Sequence, residues 1–339
     1  MNNLTIDWNK LQFEYLPVRS HIKYVFENGK WDSGTLIEKP EITMSIAATC
    51  LHYGQECFEG LKAFRQKDGT LKVFRPEENF KRLNASADYL LCEPVPEKIF
   101  FDALNRVIKA NIEYIPPYGT RGSLYIRPLL LGTSPTIGVN ASQRYEFLIM
   151  VVPVGNYYKG GIKPVRAFVS EKFDRAAPLG SGNVKASGNY ALGLKQMSLA
   201  KKDGFSIVLY PDSKTRTLVD EFGTSNFIGI HNNGSYLTPD SSTVLPSIIN
   251  NSLMQIAKDS GIKSEKRPIK LEELDNFAEV GACGTAVIIT PISEILWGQK
   301  IFRYKNECGP VLKSLYDKLT GIQFGELPDK YNWLYEVKI

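Results

Sequence analysis

Residues 180–193 read GSGNVKASGNYALG, and they place a single lysine, Lys185, among the smallest side chains of the chain. Glycine loses much conformational entropy on folding, so a glycine-rich run indicates that the backbone approaches another group closely or adopts positive φ angles. A lysine amine is a nucleophile only when it is deprotonated, a state that burial and nearby cations favour. The stretch therefore predicts either an exposed lysine on a flexible loop or a reactive lysine against which a flat ring can lie.

Two common phosphate-binding motifs do not explain this run. In a dinucleotide-binding fingerprint, Lys185 would occupy the third glycine position, and DRAAPL precedes the run where an apolar strand is needed. A phosphate loop requires a Gly-Lys-Ser/Thr step, which the run lacks. Neither motif accounts for the lysine.

The composition is that of an ordinary globular protein. The chain has 339 residues, 43% of them hydrophobic and 23% charged, with a formal net charge of +5. This length exceeds what one hydrophobic core usually supports and suits two domains. The densest basic patch, KSEKRPIK at residues 263–270, is followed by acidic residues, and no basic stripe with interleaved aromatics indicates a nucleic-acid partner.

Cysteine and histidine usage bears on compartment and metal binding. The five cysteines form no Cys-x-x-Cys pair, which is typical of a reducing compartment. The three histidines (His21, His52 and His231) are too far apart in sequence to predict a metal site. No apolar run reaches about 20 residues, and MNNLTIDWNK does not resemble a signal peptide, so we expect a cytoplasmic protein without a metal.

The first 150 residues alternate strand and helix patterns. HIKYVFENGKWDSG contains an Asn-Gly pair between β-rich flanks, which predicts a hairpin. Pro76 opens a helical pattern that runs to residue 91, and a second helix is predicted near Pro96. The residues predicted to face inward are Phe80, Leu83, Ala87, Leu90 and Leu91 on the first helix and Ile99, Ala103, Val107 and Ile108 on the second.

A glycine-rich segment, residues 155–164, is the predicted linker between two domains. We expect a smaller N-terminal domain over residues 1–154 and a larger C-terminal domain over residues 165–339 that carries Lys185. In the second domain, short strands alternate with helices predicted over residues 189–202 and 246–260. The fold class predicted from these patterns is α+β with two domains and a cleft between them.

A lysine that forms an imine with pyridoxal phosphate needs three further groups. They are an acid at the pyridine nitrogen, a phosphate cradle and a partner for the substrate carboxylate. Five stretches carry such residues in order along the chain: LHYGQECFEGLKAFR, SLYIRPLLLG, NVKASGNYA, VDEFGTSNFIGI and GACGTAVIITP. Together they resemble the fold-type IV pyridoxal-phosphate enzymes, and specifically the branched-chain amino acid aminotransferases. The resemblance covers the chain from about residue 10 to its end and implies an active site in the interdomain cleft.

The resemblance implies a set of cofactor-binding residues. Lys185 would form the imine and shuttle the proton, Tyr190 would bond the phenolic oxygen, and Glu221 would hold the pyridinium proton, with Asp220 as the rival acid. Without the resemblance, Glu221 is equally compatible with a solvated turn and Arg82 with a solvated helix face. The remaining cofactor ligands implied are Arg82, the backbone amides of Ile248 and Ile249, Thr285 and Thr224. Ser247 stands where many relatives have glycine, so the resemblance does not fix the geometry of the turn before Ile248.

The resemblance also implies the substrate contacts. Tyr53, Thr285 and Ala286 would take the α-carboxylate, and Arg127 would receive the side-chain carboxylate of glutamate. The apolar walls implied are Phe58, Tyr125 and Tyr157, although aromatic residues in such strands are more often plain core. Ile137 and Val139, at the tip of the 131–140 loop, would close the pocket of the partner subunit in a homodimer, and the alternative is that this loop folds onto its own domain.

The implied activity is ping-pong transfer of an amino group between leucine, isoleucine or valine and 2-oxoglutarate. The alternatives within the fold are a D-amino acid aminotransferase and an aminodeoxychorismate lyase, whose members are shorter and lack the combined FEGLKAF and YIRP pattern. A non-catalytic binding or regulatory relative and a cofactor-free imine aldolase are the alternatives of other classes. The aldolase would leave Arg82 and Glu221 without a role.

Overall fold

The computed structural model describes residues 6–156 and 162–338. Its strands are β1 His21–Glu27, β2 Lys30–Trp31, β3 Thr35–Ile37, β4 Glu56–Phe58, β5 Leu61–Arg65, β6 Leu71–Phe74, β7 Ser123–Gly132, β8 Tyr145–Val154, β9 Val165–Val169, β10 Ile207–Pro211, β11 Val219–Phe222, β12 Ser225–His231, β13 Tyr236–Pro239, β14 Ser264–Arg267, β15 Phe277–Gly284, β16 Ile288–Trp297, β17 Lys300–Arg303 and β18 Leu334–Glu336. Its α-helices are α1 Thr49–Tyr53, α2 Pro76–Tyr89, α3 Glu97–Ala110, α4 Gly188–Ala191, α5 Leu194–Lys202, α6 Ile248–Asp259 and α7 Pro310–Gln323. Short 3-10 helices cover Ile112–Tyr114 and Leu271–Asn276.

The chain forms two compact units. Unit 1 comprises Met1–Tyr157, Lys185–Ser187 and Ile322–Ile339, and unit 2 comprises Tyr158–Val184 and Gly188–Gly321. The predicted linker, residues 155–164, lies partly outside the described residues. The units differ from the predicted domains at two places, because the lysine segment and the C-terminal segment both pack with unit 1.

Unit 1 is built on a nine-stranded sheet in the order β18-β6-β5-β7-β8-β1-β2, with β3 paired to β1 and β4 paired to β7. The predicted hairpin is confirmed, since β1 and β2 are joined through Asn28 and Gly29, which both have positive φ angles (53° and 75°). In the central strand β7, Leu124 and Ile126 are fully buried in the core. Side chains alternate along a strand, so Tyr125 and Arg127 lie on the opposite face.

Helices α2 and α3 supply much of the unit 1 core, as their apolar periodicity predicts. Pro76 is at the start of α2, where its missing N–H costs nothing, and Pro96 precedes α3. The fully buried side chains of the two helices include Leu83, Ala87, Ala103, Val107 and Ile108. The prediction that Leu91 faces inward is wrong: it lies beyond the end of α2 with a φ of 53° and is 71% exposed.

Unit 2 is built on a second nine-stranded sheet in the order β11-β10-β9-β16-β15-β12-β13-β14, with β17 paired to β16. An additional pairing of β11 with β12 closes six of these strands into a ring, which leaves those strands without a free edge. The core inside includes Leu209, Phe222, Phe227 and Ile295. Strand β11 therefore lies fixed between two neighbours, with all four of its residues buried.

Two predicted helices of unit 2 differ in outcome. The helix predicted over residues 189–202 is two helices, α4 and α5, which are separated at Leu192 and Gly193. The helix predicted over residues 246–260 is confirmed as α6. Within the described ranges, no helix has the length and apolar character needed to cross a membrane.

Candidate active site

Lys185 lies in a short segment that pairs with the edge of the unit 1 sheet. Its backbone N–H donates to Ser86 Oγ (3.0 Å), and its carbonyl accepts from the Phe58 N–H (3.1 Å). The next residue, Ala186, forms an isolated antiparallel bridge with Cys57. The backbone of the lysine is thus held on both sides, and the side chain is half-buried.

The environment of the Lys185 amine favours its neutral form. Burial lowers the pKa of this amine to about 8, and the positive charge of Arg82 contributes in the same direction. The nearby Glu59 carboxylate opposes this shift. The Nζ atom lies 4.7 Å from the centroid of the Phe58 ring. With this pKa about a tenth of the amine is neutral at pH 7, compared with less than about a thousandth for an ordinary lysine, and the neutral form is the one needed for nucleophilic attack.

The small residues before Lys185 have a steric cause in unit 2. A Cβ atom on Gly182 would collide with the carbonyl oxygen of Thr243, so no larger residue fits there. The Asn189 amide donates to the carbonyl oxygens of Ser181 (2.6 Å) and Val184 (2.9 Å), and its Oδ1 accepts from Ser181 Oγ (2.9 Å). The run is therefore a tightly packed and hydrogen-bonded turn rather than a loose loop.

Arg82 forms a bidentate ion pair with Glu59. The Nε–Oε1 distance is 2.6 Å and the Nη2–Oε2 distance is 2.9 Å. Glu59 is fully buried and also accepts from Asn79 Nδ2 (2.6 Å) and from the Gly60 N–H (3.1 Å). Burial would raise the pKa of the Glu59 carboxyl, but the charge and hydrogen bonds of Arg82 outweigh it and hold the pKa below its ordinary value. Sequence reasoning missed Glu59, although an acidic residue between Phe58 and Gly60 in a largely apolar stretch is a signal for a buried ion pair.

Arg127 shares the Phe58 ring with the lysine. Its guanidinium carbon lies 4.8 Å from the centroid of Phe58 and 5.2 Å from that of Tyr125, and its Nη2 donates to the Tyr125 hydroxyl (2.9 Å). The Arg127 Nε is buried without a hydrogen-bond partner among the residues that the structure describes. A buried donor left unpaired is costly, so this geometry suits a ligand that brings an acceptor.

The aromatic side chains around Arg127 include one that the sequence did not indicate. Phe13 packs edge-on against Tyr125, with ring centroids 4.9 Å apart. Gly60 lies under the Tyr125 hydroxyl, where a Cβ atom would collide with it. Unit 1 therefore brings Lys185, Arg82, Phe58, Tyr125 and Arg127 together. Tyr157, the third aromatic wall predicted from the sequence, lies outside the described residues.

In unit 2, Glu221 is buried and pairs with an arginine. Arg175 Nη2 lies 2.5 Å from Glu221 Oε1, which also accepts from the Leu245 N–H (3.1 Å). The other carboxylate oxygen accepts from Asn226 Nδ2 at 3.3 Å. Arg175 in turn donates to the carbonyl oxygens of Gly182 and Thr243, both at 2.6 Å. Sequence reasoning missed Arg175, and nothing in its local pattern, FDRAAP, marks it as a buried ion-pair partner.

Asp220, the rival of Glu221, faces the other way. Neighbouring residues in a strand point to opposite faces, and the Asp220 Oδ2 accepts from Thr243 Oγ1 (2.7 Å). Its Oδ1 has no hydrogen-bond partner among the described residues, and burial raises the pKa of this carboxyl. The two adjacent acids therefore have different environments, and only Glu221 is paired with Arg175.

The backbone amides of Ile248 and Ile249 open helix α6, and both residues are buried. Ser247 is the N-cap, and its Oγ accepts from the Asn250 N–H (3.1 Å). Its φ of −88° is available to any residue. The turn therefore does not require the glycine that many relatives have at this position. A helix of this length presents an anion-binding N-terminus.

Thr285 and Ala286 form the half-buried turn between β15 and β16. Asn226 on β12 pairs with Glu221 on β11 and with Cys283 on β15, so these three residues lie side by side across the sheet. Thr285 follows Cys283 by two residues, which places the turn just beyond the level of Glu221 in the sheet. Shortly after the turn, Ile288 has a φ of 71°, a costly backbone state for a β-branched residue. The other two predicted cofactor ligands are Tyr190, half-buried in α4, and Thr224, exposed between β11 and β12.

The 131–140 loop has an exposed apolar tip, since Ile137 is 75% and Val139 is 82% exposed. The Tyr53 hydroxyl donates to the Ile137 carbonyl oxygen, and the Thr136 N–H donates to the Ala47 carbonyl oxygen (3.0 Å). Tyr53 is therefore bonded to this loop. In the part of the chain that the structure describes, no cluster of three or more His, Cys, Asp or Glu side chains could hold a metal ion.

Comparison with known proteins identifies the family of this chain. The model of the amino-transferase class IV family matches residues 56–295. The branched-chain-amino-acid aminotransferase of Haemophilus influenzae is 42% identical over 98% of this chain and 99% of its own length. The crystal structure of the Escherichia coli branched-chain amino acid aminotransferase is 28% identical, with a TM-score of 0.78 over 93% of this chain and 99% of that one. The crystal structure of the Thermobaculum terrenum enzyme in its PLP-form is 22% identical, with a TM-score of 0.78 over 95% and 99% of the two chains.

The chain is a class IV aminotransferase with the fold-type IV architecture. Within that class it belongs to the branched-chain-amino-acid aminotransferase family. Pyridoxal phosphate is the cofactor of this family. The residues present fit that group: a lysine with a lowered pKa, a buried carboxylate, an arginine and a helix N-terminus are the donor set that an aldehyde, a pyridine ring and a phosphate require.

Proposed function

We propose that this protein transfers the amino group between branched-chain L-amino acids (leucine, isoleucine and valine) and 2-oxoglutarate in a ping-pong reaction. The observation that carries this proposal is the position of two basic side chains on one ring, with Lys185 Nζ and the Arg127 guanidinium 4.7 and 4.8 Å from the centroid of Phe58. The lysine supplies the chemistry and the arginine supplies a carboxylate site beside an apolar wall. A pocket of this kind suits both an aliphatic and an acidic substrate.

Four residues have roles toward the cofactor in this proposal. When bound, pyridoxal phosphate supplies an aldehyde that takes up the amino group and a ring that withdraws electrons from the substrate α-carbon. Lys185 Nζ holds the cofactor at rest, and after release it takes the α-proton and returns it. The Glu221 carboxylate holds the proton of the pyridine nitrogen, and its ion pair with Arg175 keeps it ionised. Arg82 gives charge-assisted hydrogen bonds to the phosphate, and Tyr190 bonds the phenolic oxygen.

The phosphate and substrate contacts complete the assignment. The N–H groups of Ile248 and Ile249, together with Thr285 and Thr224, would complete the phosphate cradle. The Arg127 Nε, buried and unpaired among the described residues, would receive the side-chain carboxylate of glutamate. Phe58 and Tyr125, joined by Phe13, would form the apolar walls for the aliphatic side chains, with Tyr157 as a further proposed wall. Thr285, Ala286 and Tyr53 would take the α-carboxylate.

A side-by-side assay tests the substrate assignment. Leucine, isoleucine, valine, D-alanine and phenylalanine are compared as donors to 2-oxoglutarate with the purified holoenzyme. We expect kcat/KM for the three branched-chain acids to exceed that of the others by at least about tenfold, since one or two missing methylenes in an apolar pocket cost roughly 1–3 kcal/mol. A kcat/KM for D-alanine or phenylalanine equal to or above that of the branched-chain acids would contradict the proposal.

We also propose that the protein is a homodimer in which the 131–140 loop closes the partner's pocket. The support is the apolar tip formed by Ile137 and Val139, which has no reason to be apolar on a monomer. Tyr53 is hydrogen-bonded to this loop, so it would serve the same pocket as the loop. A two-fold interface repeats the contact, and one substitution therefore alters both pockets.

Mixed dimers test the loop assignment. Ile137→Asp subunits are combined with Lys185→Ala subunits, each inactive or nearly so as a homodimer. If the loop acts across the dimer, the intact lysine of the first chain is served by the intact loop of the second, and activity should return to roughly a quarter to a half of the wild-type value. Mixed dimers that show no recovery would contradict the assignment.

The cytoplasm is the proposed location of this activity. All five cysteines are free thiols, and the pKa values of the buried Cys57, Cys92 and Cys283 are raised by burial. Such thiols are unreactive and suit a reducing compartment. When the thiols are alkylated in intact cells and the protein is then denatured under the same alkylating conditions, all five cysteines should carry the alkyl group. This result would show that all five are reduced in the cell.

A further inference from the structure

A cavity of about 330 Å³ lies in unit 1, on the sheet face that also carries Arg127. Its floor is formed by Leu129, Leu148 and Met150 of β7 and β8, and its wall includes His21 at the start of β1. The mouth is formed by exposed residues of the 38–42 loop. Ligand pockets range over roughly 300–1,000 Å³ and are mainly apolar with a few placed polar groups, and this cavity matches that description.

Two residues that line the cavity each have a buried polar atom without a hydrogen-bond partner among the described residues. Ser20 Oγ and His21 Nε2 are buried and form no hydrogen bond with any residue that the structure describes. Unpaired buried polar groups cost about 1–3 kcal/mol each, so most of them in native proteins are satisfied by a ligand or by ordered water. Burial lowers the pKa of His21, with the charge of Lys23 acting in the same direction, so its imidazole is neutral at physiological pH.

The charges around the cavity limit the class of ligand. Among the residues that the structure describes, its lining includes two carboxylates, Glu38 and Glu41, and neither lysine nor arginine. Glu41 is paired with Lys39 at 2.6 Å. The other lysine near the lining, Lys23, is paired with Glu146 at 3.5 Å. Both neighbouring lysines are therefore already balanced by carboxylates, so the cavity is less suited to a carboxylate or a phosphate than the groups around Arg127 are.

We propose that this cavity is a second small-molecule site, which takes an uncharged and mainly apolar ligand with one hydroxyl or amide group. The apolar part packs on Leu129, Leu148 and Met150, and the polar group hydrogen-bonds with Ser20 Oγ and His21 Nε2. Met150 is the cross-strand partner of Arg127 in the β7–β8 register. A ligand in the cavity thus contacts the strand position next to the arginine, on the same face of the sheet.

Binding is measured on the holoenzyme with the catalytic pocket saturated by 4-methyl-2-oxopentanoate. The probes are 2-naphthylmethanol, its hydrocarbon analogue 2-ethylnaphthalene, and 2-naphthoate as the anionic analogue, followed by ligand-observed NMR. We expect the alcohol to bind with a Kd below about 1 mM and the naphthoate to bind at least tenfold more weakly. Absence of alcohol binding, or equal binding of the naphthoate, would overturn the proposal.

Two pairs of variants locate the site. Ile42→Trp at the mouth should abolish alcohol binding, whereas Ile46→Trp, an exposed residue that does not line the cavity, should leave it unchanged. Ser20→Ala should raise the Kd of the alcohol roughly 3- to 10-fold without affecting 2-ethylnaphthalene. The backbone at Ser20 is fixed by two hydrogen bonds with Asn111 (3.1 and 2.9 Å), so this change removes the hydroxyl alone.

The Ser20→Ala variant also gives a reading that does not depend on any probe. Removal of an unpaired buried hydroxyl should leave the melting temperature unchanged or raise it, whereas loss of a structural hydrogen bond should lower it. A lowered melting temperature would contradict the unpaired state of Ser20. A crystal structure in which a side chain of a second subunit fills the cavity would likewise overturn the proposal, because the space would then be part of an interface.

Discussion

Each unit contains a buried arginine–glutamate pair, and the two pairs are used in opposite ways. In unit 1, Glu59 is fully buried with three donors around it, and Arg82 is the member proposed to bind the phosphate. In unit 2, the proposed functional group is the Glu221 carboxylate, and Arg175 holds it while bonding two backbone carbonyls. In the proposed assignment, one pair presents a cation for a phosphate, and the other presents an anion for a pyridinium proton.

This difference shows how a fold supplies charge without leaving it unbalanced. A lone buried charge is costly, whereas a paired and hydrogen-bonded one is tolerated. Each holding partner balances the charge of its functional partner and keeps it oriented in the absence of a ligand. Substitution of a functional member should therefore affect catalysis, and substitution of a holding member should affect both catalysis and stability.

The largest expected loss of activity comes from substituting Lys185. This lysine belongs to neither pair, but Arg82 and Glu59 influence its pKa. Lys185→Ala should reduce transamination by more than about 10⁴-fold, because no other described group is placed to hold the cofactor and move the α-proton. The melting temperature should change little, since alanine suits the small-residue turn. Lys195→Ala, on α5, is the control and should be fully active. Borohydride labelling of another lysine in the wild-type protein would contradict the role of Lys185.

The unit 2 pair gives the second prediction. Glu221→Gln should lower kcat by roughly 10²–10⁴-fold while the cofactor stays bound, because a neutral amide no longer stabilises the protonated ring. The fold should survive, since Arg175 keeps its two carbonyl acceptors. Asp220→Asn is the matched control, because it changes the adjacent acid that faces Thr243. The assignment fails if the Asp220 variant is the crippled one.

The third prediction concerns Arg127, which has no carboxylate partner among the described residues. Arg127→Ala should weaken the glutamate half-reaction by about 2–5 kcal/mol, or roughly 30- to 5,000-fold, because the substrate carboxylate would lose its counter-charge. The leucine half-reaction should lose less than about tenfold. Single-turnover measurements of each half-reaction provide the comparison, and equal losses for the two donors would refute the proposed role.

Much of this arrangement could be predicted from the sequence. The Asn28–Gly29 hairpin and helices α2, α3 and α6 follow from turn residues, proline positions and apolar periodicity. The family motifs are the basis of the proposed roles of Lys185, Arg82 and Glu221, since each lies in a stretch whose residue types match a chemical role. Each of these signals depends on residues that lie close together in the sequence, so one sequence is enough to detect them.

The two holding partners could not be predicted in the same way. Glu59 is 23 residues from Arg82, and Arg175 is 46 residues from Glu221, so each ion pair depends on how distant strands and turns come together. The split between α4 and α5 is another example, because the apolar pattern continues through Leu192 and Gly193 while the backbone does not. Tertiary packing overrides local propensity at such places. The grouping of Lys185–Ser187 with unit 1 likewise depends on a bridge between Ala186 and Cys57 that no sequence pattern indicates.

The smallest expected effect is also the most direct test of the unit 1 pair. In the cofactor-free protein, the rate at which Lys185 reacts with pyridoxal, which has no phosphate, should rise with pH and level off above about 8. Only the neutral amine reacts, so this profile reports the pKa of the lysine. Glu113→Gln, a surface change in the pair with Arg19, is the control and should leave the profile in place.

The two members of the pair should move this profile in opposite directions. The Glu59 carboxylate stabilises the charged ammonium, so Glu59→Gln should lower the pKa of Lys185 and shift the profile to lower pH. Arg82 destabilises the ammonium and acts more strongly than Glu59, so Arg82→Gln should shift the profile to higher pH even if the orphaned Glu59 takes up a proton. The double variant should lie between the single variants and slightly above the wild type. If both single variants shifted the profile in the same direction, the pair would be acting on the lysine through altered packing rather than through charge, because only charge gives the two partners opposite signs.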